Sequence, residues 1–466
     1  MKTCNYRWLI LLVVVMLISA CVPLTYSIPM EIHVDSGDRV EQAVVAVDAA
    51  GLSHIAGVVD DRIVYFRTRY GDPLATFTMT MGTYGTDWKQ YDPDIAVLDN
   101  GTAYIVWVEQ HGGPEKYACY RNVPLVPPVG GYENTCIPLN GSSQTTGNVM
   151  VEARGNLVYV VYDQAYTNGR IAALFYKDFT HSNNQGLVYD YISQLETSYI
   201  YGMDLVIDQN GGLHVAILDN YTVTGAPPYT DRLMYRSNVS VDALGNMTQG
   251  WLIITGVNLG EDVDPSISIF EASGEPRVGI ASIWTPTGVD HIYIDSCAVD
   301  GCHAKSTYLV GLPSSWNTFS VIEDIEIQGR DEVLFLGFIG DNSTTNPPQV
   351  YYTNAFDTAV FLEPSDGSAT FKFDLEMVMV EPRPESTANV NVPVLAWAES
   401  NFVTATHYVA GYLTPVVKIE EDNCPETLAS GNIGSNGSYL SGVWDACSNT
   451  WFTTQAWMTD LPLLLK

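Results

Sequence analysis

The chain has 466 residues, of which 46% are hydrophobic and only 16% charged, a composition that supports a large core and excludes wholesale disorder. Its 21 Lys+Arg against 53 Asp+Glu give a formal net charge of −32. Because a surface this acidic repels phosphate backbones, we expect no nucleic-acid partner.

The first twenty residues have the pattern of an export signal. Lys2 and Arg7 form a positive segment that precedes an apolar run from Trp8 to Ile18. The run is too short to span a bilayer as a stable helix. We expect residues 1–20 to be removed. The mature chain would then carry 19 Lys+Arg against 53 Asp+Glu, a net charge of −34.

Small residues, Ser19 and Ala20, precede Cys21. This ending resembles the lipobox of bacterial lipoproteins, which implies cleavage before Cys21 and a lipid on its sulfur. An ordinary signal peptide followed by a chance cysteine is the alternative. With the lipid, residues 21–29 would form a tether, and the protein would face outward at the cell envelope with the lipid as its sole membrane contact.

Residues 30–420 contain a repeat that predicts an all-β, seven-bladed β-propeller with four-stranded antiparallel blades. Each repeat has a short apolar strand, an almost continuously apolar second strand and a third strand that carries a tyrosine, and in six of the seven repeats the first two strands are joined by a turn ending in Gly. Neighbouring turn glycines lie 50 to 63 residues apart, which is the length of one four-stranded blade; they are Gly51, Gly101, Gly155, Gly211, Gly274 and Gly329.

The ends of the repeat region suggest how the ring closes. Met30–Val34 could supply the outer strand of the last blade, or Pro415–Glu421 could do so instead. Residues 421–466 are rich in Gly, Ser, Asn and Trp, and we interpret them as a C-terminal tail outside the propeller, stapled by a disulfide.

Six cysteines remain when Cys4 and Cys21 are set aside, which favours an oxidising compartment. Fifteen connectivities are possible for six cysteines, and pairing between sequence neighbours is the simplest because short loops cost least to close. The chain has no Cys-x-x-Cys spacing, which argues against a zinc site. The expected pairs are Cys119–Cys136, Cys297–Cys302 and Cys424–Cys447.

The strand–turn–strand unit Asp-Gln-Asn-Gly-Gly-Leu-His-Val at 208–215, followed by Leu-Met-Tyr-Arg at 233–236, resembles the sialidase-like, or BNR-type, propellers of bacterial surface proteins. The family's Asp-box, Ser-x-Asp-x-Gly-x-x-Trp, does not occur in this sequence. The resemblance therefore implies the fold and leaves the activity open.

No catalytic residues are assigned. Sialidase chemistry would need three arginines, and the available trio of Arg67, Arg121 and Arg236 stands at one repeat position near the end of the third strand. We interpret it as part of the repeat's architecture. His54 and His214 also share a repeat position, and we expect them to be hydrogen-bonded strand residues rather than ligands.

A polar residue precedes the first apolar position of the inner strand in six of the seven repeats: Asp94, Asn148, Asp204, Ser266, Asp324 and Glu376. Because inner strands line the central channel, these side chains should converge there, and oxygen ligands favour Ca²⁺. We therefore predict that Asp94, Asn148, Asp204, Asp324 and Glu376 hold Ca²⁺ or a cationic group. The alternative is that they are solvated turn residues, where Asp and Asn are common.

The leading functional hypothesis is a monomeric, non-catalytic surface binding or scaffold propeller that recognises a glycan, a peptide or a partner protein. Four tryptophans outside the strand pattern are the candidate ligand contacts: Trp88, Trp316, Trp444 and Trp451. The alternative is a polysaccharide-active hydrolase or lyase that uses carboxylates at the channel mouth.

Overall fold

The protein is described by a computed structural model, and every described element is a β-strand or a turn. The described residues are 30–32, 40–69, 72–81, 88–112, 116–126, 134–138, 149–165, 171–178, 184–190, 197–222, 230–256, 264–285, 290–300, 306–310, 321–330, 332–341, 348–356, 372–380, 392–399, 402–409, 412–413, 417–421, 431–435, 439–446 and 450–457.

The strands follow one another as antiparallel meanders. After β1 (Met30–Ile32), blade 1 contains β2 (Val40–Val47), β3 (Leu52–Val59), β4 (Arg62–Arg69) and β5 (Asp72–Thr80). Blade 2 contains β6 (Lys89–Val97), β7 (Ala103–Gln110), β8 (Lys116–Val123) and β9 (Thr135–Pro138). Blade 3 contains β10 (Val149–Arg154), β11 (Leu157–Ala165), β12 (Ile171–Asp178) and β13 (Asn184–Asp190). Blade 4 contains β14 (Thr197–Ile207), β15 (Leu213–Thr222), β16 (Thr230–Val241) and β17 (Met247–Gly256).

The second half of the chain repeats this arrangement. Blade 5 contains β18 (Ser266–Ala272), β19 (Glu275–Trp284), β20 (His291–Ala298) and β21 (Ser306–Leu309). Blade 6 contains β22 (Val321–Arg330), β23 (Val333–Asp341) and β24 (Gln349–Asn354). Blade 7 contains β25 (Lys372–Val380), β26 (Val392–Glu399), β27 (Phe402–Val409), β28 (Tyr412–Leu413) and β29 (Val417–Glu421). Blade 8 contains β30 (Gly431–Ser435), β31 (Tyr439–Ala446) and β32 (Thr450–Trp457), and β1 joins it.

The inner strands close into a ring. Every inner strand contacts the inner strand of the following blade, and β30 of blade 8 contacts β2 of blade 1. The inner strands are β2, β6, β10, β14, β18, β22, β25 and β30. The described strands thus form an all-β propeller of eight small antiparallel sheets. The prediction of seven blades with a separate C-terminal tail is wrong, because residues 431–457 form the strands of an eighth sheet.

Both candidate closing segments are outer strands, each of a different blade. β1 pairs with β32, with Met30 opposite Thr453, so the N-terminal strand completes blade 8. β29 pairs with β27, with Phe402 opposite Glu421, so the other candidate belongs to blade 7. The first and last described strands are therefore hydrogen-bonded in one sheet.

The core lies between the faces of neighbouring blades. Between blades 1 and 2 the largest buried side chains are Tyr65 and Trp107, both fully inaccessible to solvent. Between blades 5 and 6 the same position is filled around Phe338. The second strands are apolar on both faces because each face packs against a different neighbour.

The hairpins between the first and second strands gather at one end of the propeller, here called the turn end. Gly51, Gly101, Gly211 and Gly274 all have positive φ there, as the predicted tight turns require. Gly329 is different, since it lies within β22. A Cβ at Gly329 would meet the carbonyl oxygen of Ile269, so this glycine permits close approach of two blades rather than a turn.

In the part of the chain that the structure describes, no helix is long and apolar enough to cross a membrane.

Candidate functional site: carboxylates on the inner strands

An aspartate follows the β-bulge in the inner strands of blades 2 and 6, and an equivalent one lies in blade 4. Asp94 of blade 2 accepts a hydrogen bond on Oδ1 from the backbone N–H of Ile95 at 2.7 Å. Its Oδ2 accepts one from the N–H of Val151 on blade 3 at 2.8 Å. The same two bonds recur at Asp204, from Leu205 (2.8 Å) and Ile267 (2.7 Å), and at Asp324, from Ile325 (2.8 Å) and Leu375 (2.7 Å).

These aspartates hold neighbouring blades together. The inner edge of each blade presents backbone N–H groups that no further strand pairs with, and such groups are costly when they are left unsatisfied. Each carboxylate satisfies one of these groups on the next blade. The predicted polar position thus has a structural role, because the aspartate oxygens are partly occupied by backbone donors.

A serine makes the corresponding contact between blades 5 and 6. Ser266 Oγ accepts a hydrogen bond from Ile327 N–H at 3.0 Å and donates one to Glu326 Oε2 at 3.1 Å. Two residues along the strand, Ser268 Oγ accepts a hydrogen bond from Gly329 N–H at 2.8 Å. Between blades 5 and 6 the serine hydroxyl therefore replaces the aspartate as acceptor, and the nearby carboxylate is that of Glu326 on blade 6.

Carboxylates from several blades lie close enough to affect one another's ionisation. Burial, and then the charges of Asp94 and Asp204, raises the pKa of Glu152 to about 8. Burial also raises the pKa of Asp204 to about 7, despite its two backbone hydrogen bonds, with further contributions from Asp264 and Asp94. These mutual effects indicate that the carboxylates of blades 2, 3 and 4 lie near one another.

Blades 6 and 7 contribute to the same cluster. Burial and the charges of Glu376, Asp204 and Asp324 raise the pKa of Glu326 well above its ordinary value. The pKa of Asp324 is also raised by burial. The effect of Asp204 on Glu326 links the carboxylates of blade 4 to those of blade 6. We call Asp94, Glu152, Asp204, Asp324, Glu326 and Glu376 the channel carboxylates.

Four of the five predicted metal ligands therefore belong to one cluster: Asp94, Asp204, Asp324 and Glu376. The fifth, Asn148, lies outside the described residues. Sequence reasoning missed Glu152 and Glu326. Glu326 stands two residues after Asp324, and Glu152 stands four residues after Asn148. Both spacings keep the side chain on the face of the predicted position, so following that face along each inner strand would have found them.

Two buried networks occupy a different repeat position. In blade 4, His214 Nε2 lies 3.0 Å from Asp208 Oδ2, and His214 Nδ1 lies 2.5 Å from the Tyr235 hydroxyl. In blade 1, His54 lies 3.4 Å from Asp48 Oδ2 and 2.7 Å from the hydroxyl of the equivalent tyrosine. The prediction that these histidines are hydrogen-bonded strand residues is confirmed.

The aspartates of these networks ionise more readily than an ordinary carboxyl group. Burial raises the pKa of Asp48 and of Asp208, but the hydrogen bond and charge of the facing histidine, with backbone N–H donors, outweigh it, so both values lie below the ordinary one. Burial lowers the pKa of His54. The networks are closed to solvent, and their role is to hold the strands of one blade together.

Trp88, a predicted ligand contact, belongs to an aromatic stack at the start of blade 2. The centroid of its ring lies 3.2 Å from the ring centroid of His111, and the ring centroid of His111 lies 4.2 Å from that of Tyr117. Glu109 is fully buried beneath the stack, 3.4 Å from His111 Nε2, and accepts a hydrogen bond from Gln90 Nε2 at 2.7 Å. The stack is half-buried, so it presents both aromatic surface and a polar edge.

The other candidate contacts are placed differently. Trp444 lies on β31 and Trp451 on β32, so the prediction that they occupy a loop or tail is wrong. Trp316 lies outside the described residues. Only Trp88 of the four has a described side-chain environment.

The arginine trio does not share one position. In the strand register, Arg121 pairs with Ile105, and Arg236 pairs with Val215 at the equivalent site. Arg67 pairs with His54, one residue further along. Because a shift of one residue reverses the face of a strand, Arg67 cannot join the other two on one surface.

The Cys119–Cys136 disulfide is present, as predicted. It joins β8 to β9 and leaves no thiolate to bind a metal beside Glu109, although the three residues lie together. Cys297 is also disulfide-bonded. Cys21, Cys302, Cys424 and Cys447 lie outside the described residues.

No protein-family model matches the chain, and no curated protein matches it. Similar folds occur among solved structures. An α-L-arabinanase from Penicillium chrysogenum, complexed with arabinobiose, is 11% identical with a TM-score of 0.40, over 71% of this chain and 99% of that one. Drosophila Plexin A in complex with Semaphorin 1b is 10% identical with a TM-score of 0.42, over 95% and 88%. A Trypanosoma rangeli sialidase is 10% identical with a TM-score of 0.39, over 94% and 59%.

Identities and TM-scores this low carry no argument about activity. The propeller assignment rests on the strand order of the chain itself.

Proposed function

We propose that the protein is an exported, lipid-anchored and non-catalytic binding propeller whose channel carboxylates take up a cation. The observation that carries this proposal is the gathering of six carboxylates from five blades, in which neighbouring negative charges help to raise the pKa of Glu152, Asp204 and Glu326. A bound cation would relieve this repulsion.

Glu152 supplies the freer ligand atoms. Both oxygens of Asp94 and of Asp204 already accept backbone hydrogen bonds, whereas Glu152 accepts none from the described residues. Longer side chains also reach further across a channel. Hard carboxylate oxygens without a nitrogen or sulfur ligand favour Ca²⁺ over transition metals.

Calorimetric titration of the folded chain with Ca²⁺, together with its thermal unfolding, tests the cation site. We expect binding heat and a higher Tm with Ca²⁺, both reduced in Glu152→Gln and in Glu326→Gln. Asp99→Asn, an exposed acid at the turn end, is the matched control and should bind like the wild type. Absence of any calcium effect on the wild-type chain would remove the cation from the proposal.

The aromatic stack supports a role in recognising a glycan, a peptide or a partner protein, because half-exposed aromatic rings provide rigid contact area. A screen of the chain against a glycan array and a peptide library, with Trp88→Ala beside the wild type, identifies the class. Binding that is unchanged in Trp88→Ala would place the contact elsewhere.

A specific observation also favours the hydrolase alternative. Glu152, with a pKa of about 8, and Asp204, with a pKa of about 7, are carboxyls whose raised values suit proton donation near neutral pH. Release of reducing sugar or unsaturated product from a polysaccharide panel would support this alternative. The activity would have to disappear in Glu152→Gln while the folded state persists.

Disulfides at Cys119–Cys136 and at Cys297 support export to an oxidising compartment. Fractionation of the producing cells and mass spectrometry of the mature N-terminus test the anchor. We expect the wild type in the membrane fraction with lipid on Cys21, and Cys21→Ser in the soluble exported fraction.

A further inference from the structure

Exposed apolar side chains gather at the turn end of the propeller. Among the described residues, eight large hydrophobic side chains are exposed. Val321, at the start of β22, lies at the opposite end, and Leu309 lies on an outer strand. The other six are at the turn end: Leu125, Val126, Val239, Val241, Leu244 and Phe356.

Blade 4 carries the most prominent group. Its third and fourth strands run past the first hairpin, and Val241 pairs with Met247 beyond the body of the sheet. The tip is held by Asp242, whose Oδ1 accepts hydrogen bonds from Leu244 N–H at 2.8 Å and Asn246 N–H at 2.9 Å. Leu244, at the centre of this rigid tip, is 79% exposed.

Blades 2 and 6 present apolar residues at the same level. Leu125 and Val126 follow the end of β8, and Val126 is 78% exposed. A Cβ at Gly101 would meet the side chain of Leu125, which places this segment beside the first hairpin of its blade. Phe356 follows β24, is partly exposed, and contacts Phe270.

The chain also enters the propeller from this end. β1 is the outer strand of blade 8, antiparallel to β32, with Met30 opposite Thr453 and Ile32 opposite Trp451. The third strand of a blade runs toward the turn end, so the partner strand β1 starts there. From the axis outward, the strands of blade 8 follow one another in chain order, as they do in the other blades, and β1 is added outside β32. Because sheet twist has a fixed hand, the strands of blade 8 run in the same directions as the corresponding strands of the other blades. The segment from Cys21 to Met30 spans at most about 30 Å.

We propose that the turn end docks on the surface of a lipid bilayer, with the tips of blades 2, 4 and 6 in contact with the lipid. This inference rests on the proposed lipid at Cys21, because a tether of this length, leaving from the turn end, keeps that end at the membrane. The tips belong to alternate blades around a ring, an arrangement that suits a planar surface better than a compact protein partner. Exposed acids at the same end, Asp99 and Asp242, favour neutral over anionic lipid.

The test uses the full lipidated chain in phosphatidylcholine vesicles. A polarity-sensitive fluorophore is attached at Leu244→Cys, and at Val321→Cys as the control at the opposite end. We expect a lipid-borne quencher in the headgroup region to quench the probe at 244 several-fold more than the probe at 321. Adding Val126→Asp and Phe356→Asp to Leu244→Cys should reduce that quenching without changing the fold.

The outcomes separate the two proposals. If the wild type fails to float with vesicles, both the anchor and the docking are overturned. If it floats but the two probes are quenched equally, the anchor stands and the docking is wrong. If the probe at 244 is shielded equally in detergent and its shielding grows with protein concentration, the turn end is a contact between copies of the chain, and lipid docking is wrong.

Discussion

The carboxylate of Asp94 on blade 2 bonds to the backbone N–H of Val151 on blade 3, at 2.8 Å. The relationship recurs between Asp204 and Ile267, so one device joins successive blades at their inner edges. The same device concentrates negative charge around the axis. The stability of the ring and any binding in the channel are therefore coupled through the same side chains.

We expect Asp94→Ala to destabilise the protein by about 2–4 kcal/mol, because two backbone N–H groups lose their acceptor at roughly 1–3 kcal/mol each, partly offset by the loss of a repelled charge. Denaturant unfolding of the variant and the wild type measures the difference. Asp99→Ala removes an exposed acid at the turn end and should change stability by less than about 0.5 kcal/mol. Equal stability of both variants would show that the bonds between blades contribute nothing.

The raised pKa values predict how stability depends on pH. Glu152 has a pKa of about 8 in the folded protein and an ordinary carboxyl value when unfolded, so between these values the folded state binds the extra proton. Stability should therefore be fully present below about pH 4.5 and decrease as pH rises toward 8. In Glu152→Gln this part of the slope should be flatter, measured as the free energy of unfolding against pH without added Ca²⁺.

The lowered values act in the opposite direction on the acid side. The pKa values of Asp48 and Asp208 are below the ordinary one in the folded state. Their contribution is present above the unfolded pKa and is lost as pH falls through the folded pKa. Asp208→Asn should therefore reduce the loss of stability in acid.

His214→Leu leaves a buried hydroxyl and a buried carboxylate without the imidazole. The variant should therefore be less stable by about 2–4 kcal/mol at neutral pH.

The sequence predicts a propeller well because most blades repeat the same chemistry. Tyr65 and Tyr235 mark the third strand, and turn glycines such as Gly101 mark the first hairpin. Blade 8 was missed because its inner strand, Gly-Asn-Ile-Gly-Ser at 431–435, has no apolar run. Such a strand is stabilised by the blades on either side of it, and this packing leaves no hydrophobic pattern in the sequence of the strand.

The channel carboxylates were predicted in part for a related reason. The position of Asp94 and Asp204 repeats and was found, but Glu152 and Glu326 lie further along the same faces of their strands, four residues after Asn148 and two residues after Asp324. A residue type that appears in only some repeats does not stand out from the apolar pattern. Their effect on the aspartates depends on closure of the ring, which brings distant blades together.

Closure of the ring gives the last prediction, because the first and last described strands, β1 and β32, pair in blade 8. Deleting residues 431–466 would remove three strands and expose the faces that β25 and β2 turn toward β30. Of the described strands, deleting residues 22–34 would remove only the short outer strand β1. We expect the first deletion to give aggregation or loss of cooperative unfolding, since an open ring leaves two apolar faces unpaired. The second should keep a single cooperative transition with a Tm lowered by a few degrees, measured by calorimetry on the exported chain. If the longer deletion unfolds cooperatively at the wild-type Tm, residues 431–457 are not an integral blade of the ring.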